Sequence, residues 1–358
     1  MKIGLLNLQY DTNYGGNIQR YALMTVLQRL GHNVTHLNLR FNFNDAPLYR
    51  RILRLCKRIV LKSIGRLDVP VLKEYRQQQR YEQECSITDA FYNRYIEHTP
   101  AIYSREKLAE YTEFDAFVVG SDQVWRKTIA DYYGIGTYFF DYLPVSCDAR
   151  RVAYGVSLGT SQNELSEKEI IHLTPLYERF YAVSVREDSG VNLLKEYGWN
   201  KPAPHLVLDP TLLLTKDDYI KLINDGVSVP SDGKMFCYIL DPSPEKSILI
   251  TEYENKKRLK SFIVGDKENK VPIQQWLRSF YDSEFVITDS FHGMVFCIIF
   301  NKPFKLIQNK FRGNSRFESI IRELNIPEDT EQIDWGLTNS ILEQKRNYAI
   351  DFLKSALT

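Results

Sequence analysis

The sequence is short of net charge, of cysteine and of long apolar runs, and each shortage excludes a class of protein. The 46 basic residues nearly balance the 45 acidic ones, so no overall positive field attracts nucleic acid. The five cysteines form no CxxC pair, which argues against a disulfide framework or a zinc knuckle. No apolar stretch is long enough to span a membrane, and the run at 1–8 is too short for a signal sequence. We therefore expect a cytoplasmic protein that binds no nucleic acid.

The usual motifs of nucleotide and metal sites are also missing. There is no GxGxxG fingerprint, no P-loop with its Gly-Lys-Ser/Thr ending, no HExxH pair and no Cys/His cluster. A nicotinamide or ATP site is therefore disfavoured. We expect neither a metal nor a cofactor.

The chain contains enough apolar residues to form a large core. Its 358 residues are 44% hydrophobic and 25% charged, which suits two α/β domains better than one. Aromatic residues reach 13%, with 23 tyrosines. Aromatic rings stack on sugar faces while tyrosine hydroxyls bond sugar hydroxyls, so this surplus fits a carbohydrate cleft.

The order of strand and helix patterns predicts two Rossmann-like domains that face a cleft. The chain opens as strand 2–8, helix 17–30 and strand 34–39, and a second series of strands begins at 205–208 after the proline-rich segment 201–204. The predicted organisation is an N-terminal domain over 1–200, with a charged helical insertion at about 46–110, a C-terminal domain over 201–335 and a final helix over 336–358. Ligands of such sheets bind beyond the carboxyl ends of the strands.

A glycine turn joins the first strand to its helix. Asn13, Gly15, Gly16 and Asn17 belong to the run Asn-Tyr-Gly-Gly-Asn-Ile-Gln, and the paired glycines let the backbone approach a ligand beside a helix N-terminus. If the cleft binds a sugar as the acceptor of a transferred group, these four residues are predicted to contact that acceptor. The alternative is an ordinary turn in which Asn17 caps the helix.

A second strand end carries Gly-Ser-Asp-Gln-Val-Trp at 120–125. Asp122 could accept a proton there, and Trp125 could stack on the ring of the acceptor sugar. The alternative is a helix cap at Ser121 or Asp122 and a packed tryptophan.

A third strand end carries Arg186, whose guanidinium could hold a carboxylate or a phosphate through two hydrogen bonds. An ion pair with Glu187, Asp188 or a neighbouring helix is the alternative.

The run Thr-Asp-Ser-Phe-His-Gly at 288–293 lies between a fully apolar strand and an apolar helix. A helix N-terminus binds anions, so Ser290, Phe291, His292 and Gly293 are predicted to line an anion site. The alternative is that Asp289 or Ser290 caps the helix and His292 packs.

A basic loop at 309–317 contains Arg312 and Arg316 among turn-forming residues. Such a loop suits phosphate binding at the start of a helix. The alternative is a loop whose cations are simply solvated.

Taken together, these motifs resemble the polysaccharide pyruvyl transferase family. The resemblance rests on five segments that occur in the family's order, namely 13–19, 120–125, 183–190, 208–211 and 288–293. It implies a GT-B-like fold, phosphoenolpyruvate as the donor and a ketal-linked pyruvate as the product. It also implies that His292 and Arg186 contact the donor. Family members often carry an arginine where this chain has Ser290, so Arg312 or Arg316 is expected to supply that charge.

The chemistry of the implied reaction assigns further roles. His292 is expected to act as an acid or as a partner of the phosphate, and Asp122 as the base. Two other functions stay open. One is a glycosyltransferase that uses a nucleotide sugar on the same architecture, and the other is a non-catalytic scaffold in a polysaccharide assembly complex, against which the presence of Asp122, Arg186 and His292 argues.

The segment 50–66 carries seven cations and no acid. Its basic residues recur at helical spacing, with apolar residues mainly opposite, which is typical of a helix on an anionic membrane surface. We therefore consider a lipid-linked acceptor and a location at the inner face of the membrane. The alternative is a helix whose apolar side packs on the body of the protein.

Overall fold

The computed structural model describes residues 1–43, 48–65, 72–265, 270–307 and 315–358. Within these ranges the chain forms two parallel sheets, one of six strands and one of four. Both sheets carry helices between successive strands, which is the Rossmann-like pattern predicted from the sequence.

The first sheet has the strand order β2-β1-β3-β4-β5-β6. Its strands are β1 (Lys2–Leu6), β2 (Asn33–His36), β3 (Ala116–Val119), β4 (Arg150–Val156), β5 (Ala182–Val185) and β6 (Pro204–Leu206). Because β1 lies between β2 and β3, the direction of winding reverses between β1 and β3. A crevice opens at such a point beyond the carboxyl ends of the two strands.

The second sheet has the order β10-β9-β7-β8. Its strands are β7 (Met235–Tyr238), β8 (Ser261–Phe262), β9 (Phe285–Thr288) and β10 (Phe304–Leu306). Here the winding reverses between β7 and β9. All four strands occur where the sequence predicts them.

Thirteen α-helices of the described residues surround the sheets. They are α1 (Tyr14–Arg29), α2 (Leu48–Ser63), α3 (Lys73–Tyr95), α4 (Arg105–Leu108), α5 (Lys127–Ala130), α6 (Glu167–Tyr177), α7 (Asp188–Glu196), α8 (Lys216–Asp225), α9 (Pro244–Lys257), α10 (Ile273–Asp282), α11 (Phe291–Phe300), α12 (Ser315–Glu323) and α13 (Trp335–Leu357). None of them is long and apolar enough to cross a bilayer.

One apolar cluster joins the two halves of the molecule. It contains Ile3 of β1 together with Phe236 of β7 and Val286 of β9. The last helix, α13, returns to the first domain, where Phe352 contacts Tyr154 of β4 with ring centroids 6.2 Å apart. Two Rossmann-like domains that face each other in this way are the GT-B arrangement, so the predicted fold class is confirmed.

Two predicted boundaries are wrong. The segment at 204–206 is the edge strand of the first sheet, where it pairs with β5, so the first domain continues past the junction predicted at residue 200. Proline is tolerated at the start of an edge strand, and the proline-rich segment therefore precedes a strand instead of separating domains. Helix α1 also begins at Tyr14 instead of residue 17, because the side chain of Asn13 accepts a hydrogen bond from the Gly16 N–H and caps the helix three residues earlier.

Candidate active site at the interdomain cleft

Both crevices open into the same cleft. A cavity of about 710 Å³ lies between the loop after β1, the loop after β3, the carboxyl end of β7 and the start of α11. Cavities of this size hold small-molecule ligands. The cavity is lined from the first domain by Asp11, Asn13, Gly15, Gly16, Arg20 and Asp122, and from the second by Lys270, Ser290, Phe291, His292 and Arg316.

Two helix N-termini meet across this cavity. Helix α1 starts after Asn13, and α11 starts after Ser290, whose hydroxyl accepts a hydrogen bond from the Gly293 N–H at 3.3 Å. Gly15 in the first turn of α1 abuts the imidazole of His292, and a Cβ at Gly15 would overlap that ring. The partial positive charges of two helix ends therefore face one small volume, which favours an anion there.

His292 is buried at this meeting point and is only 8% exposed. Desolvation lowers its pKa to about 4, although the charges of Asp209 and Asp122 act in the opposite direction, so the ring is neutral at physiological pH. Its Nε2 atom is buried and has no hydrogen-bond partner among the described residues. A buried polar atom without a partner costs stability unless a ligand or water satisfies it, so His292 is prepared for a ligand.

Arg316 provides a buried cation beside His292. Its guanidinium carbon lies 5.3 Å from the ring centroid of Phe291, a cation–π distance. Desolvation and the nearby Arg186 charge lower the pKa of Arg316 to about 10, so the side chain stays charged at neutral pH. Arg312, the other candidate of the basic loop, lies outside the described residues.

Arg186 does not reach the cavity, contrary to the predicted donor contact. Its side chain is fully buried and donates to Asp209 Oδ2 at 2.6 Å and to Asp122 Oδ1 at 2.9 Å, while Glu187 lies 3.7 Å away. Three carboxylates thus surround one guanidinium. The alternative, an ion pair, describes this arginine, although its two hydrogen-bonded partners are Asp122 and Asp209 and not Asp188. Removal of either charge would leave its buried partner uncompensated.

Asp122 lies at the cavity wall with a strained backbone, since its φ of 74° is in the left-handed region. Burial raises the pKa of its carboxyl, but the charges of Arg186, His292 and Arg316 together outweigh burial and lower the pKa overall. A carboxylate held in this way is a weak base. The lowered pKa of Asp122 therefore argues against the prediction that it is the base.

Asp11 is a second carboxylate of the cleft that the sequence reading missed. It is half-buried, and its Oδ1 accepts a hydrogen bond from the Asn13 N–H at 2.9 Å. Burial raises the pKa of Asp11, against the opposing charge of Arg20. Asp11 lies in the loop after the first strand, two residues before the helix cap. Its place at the cleft could have been predicted, because ligands bind beyond the carboxyl ends of the strands.

Arg20 and Lys270 add cations that the motifs did not single out. Arg20 donates to Asn17 Oδ1 at 3.0 Å and to the Leu8 carbonyl at 2.7 Å, while its Nε has no partner among the described residues. Lys270 donates to Thr12 Oγ1 at 3.0 Å across the domain interface. Arg20 follows Gly16 by one helical turn, and helical side chains tilt toward the N-terminus, so its approach to the cleft was predictable.

Three other predicted site residues serve packing. Trp125 is buried and stacks on Phe139 with ring centroids 4.5 Å apart, and its indole N–H donates to the Tyr138 carbonyl. It therefore cannot stack on a sugar in the cleft. Asn17 is buried and bonds the backbone of its own turn. Gly293 does not line the cavity, and a Cβ there would overlap the Thr288 hydroxyl, so this glycine allows α11 to pack closely on β9.

Comparison with known protein families identifies one that matches most of the chain. A family model described as polysaccharide pyruvyl transferase matches residues 13–310. No curated protein sequence gives a significant match. No group of three or more His, Cys, Asp or Glu side chains in the described residues has the arrangement of a metal site.

Several solved structures are similar over the whole chain at low identity. UDP-GlcNAc 2-epimerase from Neisseria meningitidis, bound to UDP-GlcNAc, is 11% identical over 100% of this chain and 99% of that chain, with a TM-score of 0.49. UGT89C1 from Arabidopsis thaliana, complexed with UDP-L-rhamnose, is 9% identical over 99% and 98%, also with a TM-score of 0.49. The Rickettsia bellii UDP-N-acetylglucosamine 2-epimerase is 10% identical over 100% and 99%, with a TM-score of 0.45. Matches at such identities say nothing about activity.

Proposed function

The chain belongs to the polysaccharide pyruvyl transferase family, and from this premise we propose that it transfers pyruvate from phosphoenolpyruvate to two hydroxyls of one sugar, as a ketal, in bacterial surface polysaccharide biosynthesis. The observation that carries the proposal is the unpartnered, buried Nε2 of His292, beside Arg316 and between two helix N-termini. Phosphoenolpyruvate carries a carboxylate and a phosphate, so its site has to offer several positive partners in a small volume.

The reaction joins two sugar oxygens to C2 of the donor. A base takes the proton of the first hydroxyl while its oxygen bonds to C2, and an acid adds a proton to C3, which becomes a methyl group. The bond from C2 to the phosphate oxygen then breaks with its electron pair, and phosphate leaves. The second hydroxyl adds to C2 and releases its proton. The products are a cyclic ketal and inorganic phosphate, so the reaction needs an acid and a base but no oxidant or reductant.

The donor end of the cleft belongs to the second domain in this proposal. Arg316 and the first turn of α11, with Ser290 and Phe291, would hold the phosphate and carboxylate, while His292 would donate a hydrogen bond or a proton. Although His292 is neutral without ligand, the negative charges of a bound donor would favour its protonated form. Arg186 would act indirectly, because it fixes Asp122 and supports Phe291, whose ring centroid lies 5.1 Å from its guanidinium carbon.

The acceptor end belongs to the first domain. Asn13, Gly15 and Gly16 line the cavity there, with the half-buried Asp11 beside them. We propose that Asp11 takes the hydroxyl proton and that Asp122 offsets the charge of a protonated His292. Groups whose surroundings move their pKa values in opposite directions are suited to different roles, and Asp11 and Asp122 differ in this way.

The first test is ligand-induced stabilisation. A ligand that binds only the folded state raises the melting temperature, so phosphoenolpyruvate should raise it by several degrees at about 100 times its Kd. Arg316→Met and His292→Gln should each lose that increase, whereas Arg278→Met, a control away from the cavity, should keep it. Stabilisation by UDP-, GDP- or CMP-sugars alone would favour the glycosyltransferase, and no stabilisation by any of them would favour the scaffold.

A second test separates the two carboxylates. Asp11→Asn should lower kcat by about 100-fold or more while phosphoenolpyruvate still stabilises the protein, because general-base catalysis typically contributes 10²- to 10⁴-fold. Asp122→Asn should lower the melting temperature in addition to kcat, because Arg186 then has one carboxylate partner fewer. Normal turnover of Asp11→Asn, together with inactive but donor-binding Asp122→Asn, would return the role of base to Asp122.

A further inference from the structure

Helix α2 exposes almost its whole surface, including its apolar side. None of its residues is buried. Leu53 is 64% exposed, Val60 60% and Ile59 49%. A surface helix normally covers its apolar side with the body of the protein, so exposure of these side chains indicates a partner.

The helix is attached by its other side. Its half-buried residues are Leu55, Arg58 and Leu61, and Arg58 forms an ion pair with Glu74 of α3. The alternative in which the apolar side packs on the body therefore holds for Leu55, whereas Ile59 and Val60 stay exposed. The side of α2 that faces α3 carries Arg58 together with Leu55 and Leu61, and most of the apolar side stays in solvent.

The cations of α2 border the exposed apolar side. Arg50, Arg54, Lys57 and Lys62 are exposed and belong to no ion pair among the described residues. The helix contains no acidic residue. Apolar side chains beside exposed cations match the interface of an anionic bilayer, where the apolar side chains enter the headgroup region and the cations meet lipid phosphates.

A second copy of the chain fits this surface poorly. A symmetric pair would place the same patch on both partners, so the cations of one α2 would lie against those of the other. Repulsion between like charges would oppose such a pair. An anionic lipid surface satisfies both the apolar and the basic residues, so the charge of the patch decides between the two partners.

Helix α3 connects this surface to the cleft. Glu74 in its first turn holds α2, while Arg80 and Glu84 further along line the cavity. At a rise of about 1.5 Å per residue, Glu84 lies roughly 15 Å from Glu74 along the helix. A surface bound by α2 would therefore lie beside the mouth of the cleft.

We propose that α2 binds an anionic lipid bilayer through its apolar side and its cations, and so holds the cleft next to the membrane surface. The binding itself is independent of the proposed reaction. If the reaction is as proposed, sugars carried by lipids of the same leaflet become accessible acceptors.

Co-sedimentation with vesicles tests the proposal on the full chain. Vesicles of about 70% phosphatidylcholine and 30% phosphatidylglycerol should bind the protein, pure phosphatidylcholine should bind it much less, and high salt should weaken the binding. Two variants should each lower binding at least tenfold, namely Arg54→Gln with Lys57→Gln and Lys62→Gln, and Leu53→Ser with Val60→Ser. The control Lys168→Gln with Lys195→Gln and Lys201→Gln removes as many exposed cations elsewhere and should bind normally.

The outcomes separate this proposal from the proposed reaction. Equal binding by all variants, or no binding to anionic vesicles, would overturn the lipid surface whatever the enzyme does. A change of molar mass in light scattering on mutation of α2, without vesicle binding, would show a protein partner instead. Stabilisation by phosphoenolpyruvate reports on the cleft alone and should be the same in wild type and in the α2 variants.

Discussion

Gly15 is the residue at which the two domains come into contact inside the cleft. A side chain there would overlap the His292 ring, whereas the nearest atom to a Cβ at Gly16 would be 3.8 Å away. We expect Gly15→Ala to lower kcat by roughly 100-fold, because a displacement of about 1 Å in a catalytic group can have that effect. Turnover is to be measured beside the melting temperature.

Gly16→Ala is the matched control for that experiment. Alanine stabilises a helix by about 1 kcal/mol relative to glycine, so both variants gain the same intrinsic helical preference. Only Gly15→Ala displaces His292. Equal kcat values for the two variants would show that His292 does not depend on this contact.

The burial of His292 gives stability a specific pH dependence. Its folded pKa of about 4 lies below the ordinary value, so the neutral ring contributes stability that is fully present above about pH 6.5 and is lost as pH falls through 4. The difference corresponds to roughly 3 kcal/mol. We expect wild type to lose more unfolding free energy than His292→Gln between pH 7 and pH 4, as measured by urea unfolding.

His172 provides the control for this measurement, since it is exposed on α6. His172→Gln should follow the wild-type pH profile. If His292→Gln followed it equally closely, His292 would not be buried as a neutral ring.

At the scale of single elements, the first turn of α11 combines a structural and a functional role. Ser290 and Ser243 are both N-cap serines, the first at α11 in the cleft and the second at α9 outside it. Loss of either cap should lower stability by about 1 kcal/mol. We expect Ser290→Ala to lower turnover in addition to stability, while Ser243→Ala leaves turnover unchanged. Chemical unfolding measures the stability of each variant, and steady-state kinetics measure its turnover. Equal rates of the two variants would show that the Ser290 cap has no role in the reaction.

At the scale of the whole molecule, the two domains share a core and are bridged by Tyr14. Its hydroxyl donates to the Val271 carbonyl at 2.7 Å and accepts from the Val271 N–H at 2.9 Å, and its ring stacks on Trp276. We therefore expect a single calorimetric transition with equal calorimetric and van't Hoff enthalpies. Two separate transitions would contradict a continuous core.

The bridge itself can be tested by removal of one hydroxyl. Tyr14→Phe leaves two polar groups of the Val271 backbone without their partner, which should cost about 1–3 kcal/mol and lower the melting temperature. Tyr348→Phe is the control, because the hydrogen-bond partner of that hydroxyl is the exposed ring of His205. Equal effects of the two substitutions would show that the bridge adds little.

The sequence by itself determined the fold class, the family and the position of the cleft. Apolar strand runs, helical periodicity and turn residues are local signals, and the carboxyl ends of parallel strands converge wherever such units repeat. Asn13, Gly15, Asp122 and His292 were placed at the cleft for that reason. The basic and apolar sides of α2 were likewise visible in the sequence, although the orientation of the helix was not.

Only the tertiary structure decided which side chains face the cleft. The carboxylates that bury Arg186 come from Asp122, 64 positions earlier in the chain, and Asp209, 23 positions later, and no local pattern reports pairs so far apart. Trp125 turns into the core because Phe139 covers it. Long-range packing likewise decides the edge position of β6, the contact between Gly15 and His292, and the side of α2 that faces α3. The reason is that a sequence pattern fixes where a residue lies on its own element but not what is packed against it.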